Sequence, residues 1–135
     1  MKKTVCLILC IVLLAGLSAC GKDEKEIKTH EVESERYTQE DIRAAIEVIE
    51  TEVSRNWKGC TLTEIYYGGD ELSASFQHEA AWHDGDEVIV LLSSFDVDST
   101  GGDGSLEPNR TYSGWGWILV RSQGGAWRHV DHGYG

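Results

Sequence analysis

Apolar residues recur three and four apart through Ile42, Ala45, Ile46, Ile49, Val53 and Trp57, drawing one stripe along a helix. Glu47, Glu50, Glu52 and Arg55 fall off that stripe and face water. Thr38 stands where an N-cap belongs, Asp41 is its capping-box partner, and Tyr37 and Ile42 occupy the staple positions. Gly59 supplies a stop, so the pattern predicts a helix over residues 39–58.

Downstream the period falls to two. Cys60–Tyr67 is rich in β-branched and aromatic residues and is bounded by Gly59 and Gly68-Gly69-Asp70, which predicts a strand. Residues 71–86 are ambiguous; 75–83 fits a short helix that Gly85 ends. Glu87–Val97 is apolar on both faces, with Ile89, Leu91 and Phe95 on one and Val88, Val90 and Leu92 on the other. A strand of that kind is central and covered above and below. One helix covers one face, so the other must meet the short helical segment, a curled part of the sheet, or a partner. Thr111–Arg121 and residues 126–132 predict two further strands, with Ser122-Gln123-Gly124-Gly125 as their hairpin. Gly114 and Gly116 share a face of their strand, signalling a bend or a close backbone approach, while Trp115, Trp117 and Leu119 share the other. The expected domain, residues 37–135, is α+β: one long N-terminal helix packed on a curved, mainly antiparallel four-stranded sheet.

The start of the chain has a different character. Lys2 and Lys3 precede an apolar run from Val5 to Leu17, shorter than the roughly 20 residues of a membrane span. The run closes in Leu17-Ser18-Ala19-Cys20, which resembles the lipobox of bacterial lipoproteins. That resemblance implies a signal peptide over 1–19 and a Cys20 joined to diacylglycerol through its sulfur. The mature chain would then sit on the extracytoplasmic face of the cell membrane. An ordinary secretory signal with a chance cysteine is the alternative. Residues 21–35 are almost all charged or polar, Ile27 and Val32 excepted, so 20–36 predicts a lipidated Cys followed by a disordered tether. At roughly 5–6 Å times the square root of its length, such a tether holds the domain a few tens of Å from the bilayer.

Charge narrows the partners. Without residues 1–19 the chain keeps 10 basic against 23 acidic residues, a net charge of −13. Phosphate backbones are repelled and no basic stripe is present, which argues against nucleic acid. There is no polybasic second anchor either, so attachment rests on acyl chains. Cys6 and Cys10 leave with the signal and Cys20 carries lipid, so Cys60 stands alone, either as a small buried hydrophobe or as a reactive thiol.

Trp57-Lys58-Gly59-Cys60 after the helix, Val88 to Val97, and Trp127 through Asp131 to Gly133-Tyr134 carry a second resemblance. The chain resembles small lipid-anchored bacterial proteins with a domain similar to nuclear transport factor two, with the cystatin-like roll as a neighbour. Members of that superfold have two or three helices before the sheet, whereas this chain shows one. Some are enzymes with acids inside the cone as general bases, which makes Asp131, Glu64 and His129 candidates by fold analogy.

The candidate sites follow from residue type. Trp115, Trp117, Tyr112 and Trp127 either form an aromatic surface for a glycan, a peptide or a second subunit, or fill the core. The stretch from Asp96 to Glu107 aligns with a calcium loop, with Asp96, Asp98, Thr100, Gly102 and Glu107 at ligand positions and Gly101 at the sharp turn. Its other reading is a polar hairpin loop. His129 and His132, three apart in a strand, are expected on opposite faces, and His78 and His83 diverge on a helix, so neither pair is expected to hold zinc. The function expected is non-catalytic binding at the cell envelope, with no cofactor unless calcium. The alternatives are a small general-base enzyme or a calcium-binding surface protein.

Overall fold

The computed structural model describes residues 26–134. The expected signal, Cys20 and residues 20–25 of the expected tether lie outside them. The elements are α1 (Gln39–Asn56), β1 (Cys60–Tyr67), α2 (Asp70–Ser75), α3 (His78–Trp82), β2 (Glu87–Val97), β3 (Thr111–Arg121) and β4 (Arg128–Gly133). The strands pair antiparallel in the order β1-β2-β3-β4. The domain is therefore α+β, one helix of 18 residues on a four-stranded antiparallel sheet that is not strongly curled.

Helix α1 starts as its residues require. Thr38 Oγ1 accepts from the Asp41 N–H at 3.1 Å, and the Asp41 carboxylate accepts from the Thr38 N–H at 3.2 Å. The helix ends before the predicted residue 58, because Trp57 already leaves helical geometry at φ −106° and ψ 68°. Gly59 serves the turn into β1 instead: its φ is +76°, and a Cβ there would lie 2.7 Å from Asp98 Oδ1.

Each ladder of the sheet carries one bulge, at Thr63 in β1, Gly114 in β3 and Val130 in β4. A bulge adds one residue to one strand, so side chains three apart come to share a face. Leu62 and Ile65 both enter the core beneath α1 in this way, as does Tyr112, with Trp115 packed beside it. Gly114 has a φ of +69° and open space around it, so backbone conformation alone demands glycine there. Gly116 is a close approach: a Cβ would meet the Gly133 carbonyl oxygen at 3.2 Å.

Both faces of the central strands are covered. Ile89, Leu91, Phe95, Trp117 and Leu119 pack under Ile42, Ala45, Ile46, Ile49 and Val53 of α1. Val88, Val90, Ile118 and Val120 meet Ala80, Leu72 and Phe76 from the short helices. The second cover is thus the helical segment, which removes the need for a curled sheet. That segment is two short helices where one over 75–83 is expected. The Ser73 hydroxyl accepts from the Val90 N–H at 3.0 Å, tying α2 to β2.

The expected tether needs a correction from residue 26 onward. Lys28 N–H donates to the Thr63 carbonyl at 2.9 Å and Ile65 N–H donates to the Lys28 carbonyl at 3.0 Å, a short parallel bridge on the outer edge of β1. The bulge at Thr63 turns that carbonyl outward. Ile27 and Val32, the two apolar residues of the stretch, pack against the core. Ser34 and the Glu35 N–H both donate to Asp70, at 2.6 and 2.8 Å. Charge density favours disorder only where no edge accepts the backbone; here one does.

Arg121 closes the opposite corner. Its side chain, 10% exposed, donates through Nη1 to Asp41 at 3.0 Å and through Nε to Glu87. Its guanidinium lies 4.2 Å from the Trp127 ring centroid and 5.7 Å from that of Tyr37. The hydrogen bond from Arg121 is the main reason Asp41 is held below the usual carboxylate range. Replacing Arg121→Met strands two carboxylates and is expected to cost about 3–5 kcal/mol in urea unfolding. Arg121→Lys keeps the charge but not the fork or the stacking, and recovers part of that loss. Because the Asp41 pKa is depressed on folding, its contribution is complete above the unfolded carboxylate value and is lost as pH falls through the folded one. Acid titration of the urea midpoint therefore flattens in the Met variant below about pH 4.

Candidate functional site

The C-terminal end of α1, the 98–110 loop and the far ends of β3 and β4 meet around Trp57. Its ring centroid lies 4.9 Å from Trp117, 6.1 Å from Trp115, 5.8 Å from Phe95 and 4.8 Å from His132, all edge-to-face. Beside these rings opens a cleft of about 730 Å³. Trp57, Trp115 and His132 line it, with Cys60 and Leu106 at the loop side and Arg55, Lys58, Asp103 and Ser105 at the lip. Among the described residues neither Arg55 nor Lys58 is ion-paired, since the ion-paired cations there are Arg110, Arg121 and the two histidines at Glu79. Arg55 also belongs where it is, at the negative end of the helix dipole.

The four aromatic candidates part company. Trp115 is half-buried on the cleft wall. Tyr112 lies behind it, stacked on Phe95 at 5.2 Å, its hydroxyl accepting from the Glu107 N–H at 3.1 Å. Trp117 is fully buried beneath α1 and donates to Ser93 Oγ at 2.7 Å; Ser93 in turn donates to the Trp115 carbonyl at 3.2 Å. Trp127 is buried at the other end of α1, donating to the Asp41 carbonyl at 3.1 Å. Trp115 and Trp117 therefore form no open aromatic platform, because β3 turns that face toward the helix. Among buried side-chain polar atoms of the described residues, only the Trp115 indole N–H lacks a partner.

The residues of the calcium-loop alignment are not drawn to one point. Asp96 still belongs to β2 and accepts from Thr111 Oγ1 at 2.7 Å across the ladder. Asp98 accepts from the N–H and hydroxyl of Thr100, and Asp103 does the same with Ser105. Those hydroxyl bonds hold both carboxyls below the usual range. Glu107 pairs with Arg110 at 2.6 Å. Gly102 carries φ +67° against Leu106 and Cys60, a packing position in the loop. Burial pushes the Cys60 thiol up, and the charges of Asp98 and Asp103 add to it. Among the described residues no group of three or more His, Cys, Asp or Glu side chains is arranged to hold a metal ion.

Glu64 and the pair Asp131 and His129 stand on opposite edge strands, with β2 and β3 between them, roughly 14 Å at ordinary strand spacing. They do not converge on one substrate. The histidines depart further from expectation. Val130 is the bulged residue of β4, so His129 and His132 share a face, with His129 Nε2 and His132 Nδ1 3.2 Å apart. Burial lowers the His129 pKa, and His132 lowers it further. His78 and His83 both reach Glu79, at 3.6 and 3.3 Å.

Sequence reasoning places Trp57 on the core stripe and misses it, together with Arg55 and Lys58, as cleft residues. The available signal is that Trp57 ends the stripe beside a glycine and two cations. Against this geometry, no family model, no curated protein and no solved structure matches the chain. No helix among the described residues is long and apolar enough to cross a membrane.

Two outcomes follow from the site. Proton NMR titration is expected to find His129 below the ordinary histidine value of about 6.5, and His132→Asn to move it back up. Since folding depresses that pKa, the unfolded chain takes the proton first, and stability falls as pH drops below about 6.5 toward the folded value. The second concerns calcium: the loop carboxylates are already satisfied, so isothermal titration with millimolar calcium is expected to give heats of dilution only.

Proposed function

We propose that this chain is a bacterial lipoprotein, moored by lipid on Cys20 to the extracytoplasmic face of the cell membrane, whose domain binds a ligand without catalysis. The observation that carries the binding reading is the cleft, with indole walls from Trp57 and Trp115 and unpaired cations at its lip. Aromatic walls take the apolar face of a sugar ring or a peptide side chain, and Arg55 and Lys58 take a carboxylate. A small carboxylate-bearing glycopeptide of the envelope meets both requirements, whereas the acidic remainder of the chain discourages anions elsewhere. The mooring rests on the lipobox-like Leu17-Ser18-Ala19-Cys20. The single helix before an antiparallel sheet supports a reduced relative of the nuclear-transport-factor-two-like superfold, curved less than its cone.

The test has two arms. In a bacterial host fed labelled palmitate, the chain is expected to take up label and Cys20→Ala to lose it; equal labelling of both overturns the mooring. N-acetylmuramyl dipeptide is then titrated against tryptophan fluorescence. A saturable change, abolished by Trp115→Ala and weakened at least tenfold by Arg55→Ala with Lys58→Ala, is expected. No change up to 10 mM, about 2.7 kcal/mol of affinity at most, overturns the ligand class.

A further inference from the structure

We propose that His129 and His132 together hold one divalent transition-metal ion, Cu(II) ahead of Zn(II), in the wall of the cleft. This goes beyond the mooring and the glycopeptide reading and depends on neither. The bulge at Val130 places the two rings on one face of β4, where His129 Nε2 and His132 Nδ1 lie 3.2 Å apart, within hydrogen-bond distance. Two imidazole nitrogens bound to one tetrahedral ion at about 2.0–2.1 Å stand roughly 3.3 Å apart, so the spacing is that of a chelating pair. The ring centroids are 5.2 Å apart, with planes 27° from parallel.

The pair is also held in place before any ion arrives. His132 packs edge-on to Trp57 at 4.8 Å and lies 6.0 Å from Trp115, while His129 packs on Trp117 at 5.3 Å. Rings fixed in this way lose little freedom on binding, and that raises affinity. His132 is exposed on the cleft, which gives an ion its entry path.

Imidazole suits copper, nickel and zinc; the spacing as it stands is that of a tetrahedral ion, and tetragonal Cu(II) requires the two rings to draw slightly closer, but the order of divalent affinities still puts Cu(II) first. With two protein ligands, the remaining positions belong to water or to a donor entering the cleft.

The full chain, stripped of metal, is titrated with copper sulfate while tryptophan fluorescence is followed. Trp57, Trp115 and Trp117 surround the pair, and paramagnetic Cu(II) is expected to quench them with saturation at one equivalent. Electron paramagnetic resonance of the 1:1 sample is expected to show two nitrogen ligands. His132→Asn is expected to weaken binding at least tenfold, while the double replacement His78→Asn with His83→Asn leaves it unchanged. Quenching that does not saturate at one equivalent, a spectrum without two nitrogens, or equal affinity in His132→Asn overturns the proposal. The spectrum is read on the unmodified chain, so it decides even where His129→Asn fails to fold. Zinc sulfate is expected to displace copper only in large excess; displacement at equal concentration overturns the order.

Discussion

A buried cation holds the first turn of the helix to the sheet. Arg121 is the last residue of β3, yet its partners are Asp41 of the capping box and Glu87 at the start of β2, and the mutually perpendicular rings of Trp127 and Tyr37 lie against it. Three separated stretches of chain therefore meet on one planar group. Asp41 serves twice, once in the cap with Thr38 and once with Arg121, so helix initiation and helix docking share a side chain. A charge taken from water is costly unless it is fully paired, and this one is paired and stacked. Because that end is secured by polar geometry, the other end of α1 is free to finish in aromatic rings around an open cleft.

The bulges do the corresponding work inside the sheet. With strict alternation, Leu62 and Ile65, Tyr112 and Trp115, and His129 and His132 would each be split between faces. One inserted residue per ladder gathers all three pairs on the side of α1. The sheet thereby offers the helix more apolar surface than its length provides, and at its far end it offers the cleft two imidazoles.

The helix, its cap and stripe, the three long strands and their antiparallel order were legible because period and turn chemistry act locally. Gly114 and Gly116 were legible together as a bend or a close approach, without a role for each; the structure makes Gly114 the bulge and Gly116 the close approach. The histidine pair was not legible: Val130 has nothing in its residue type that marks a bulge, and without it the strand rule separates His129 from His132. The exposure of the tryptophans was equally hidden, since whether Trp117 faces water depends on which side of β3 the helix takes. Residues 26–36 were misjudged because composition measures what a segment can bury alone, whereas Lys28 borrows the edge of β1.

That borrowed edge has a mechanical consequence. From Ile27 onward the chain belongs to the globule, so with the proposed lipid on Cys20 the backbone between anchor and body would extend about 25 Å at most. A leash that short leaves no room to tumble freely above the headgroups. The β1 side would ride nearest the bilayer, and the body would pivot about it as a door does on its hinge.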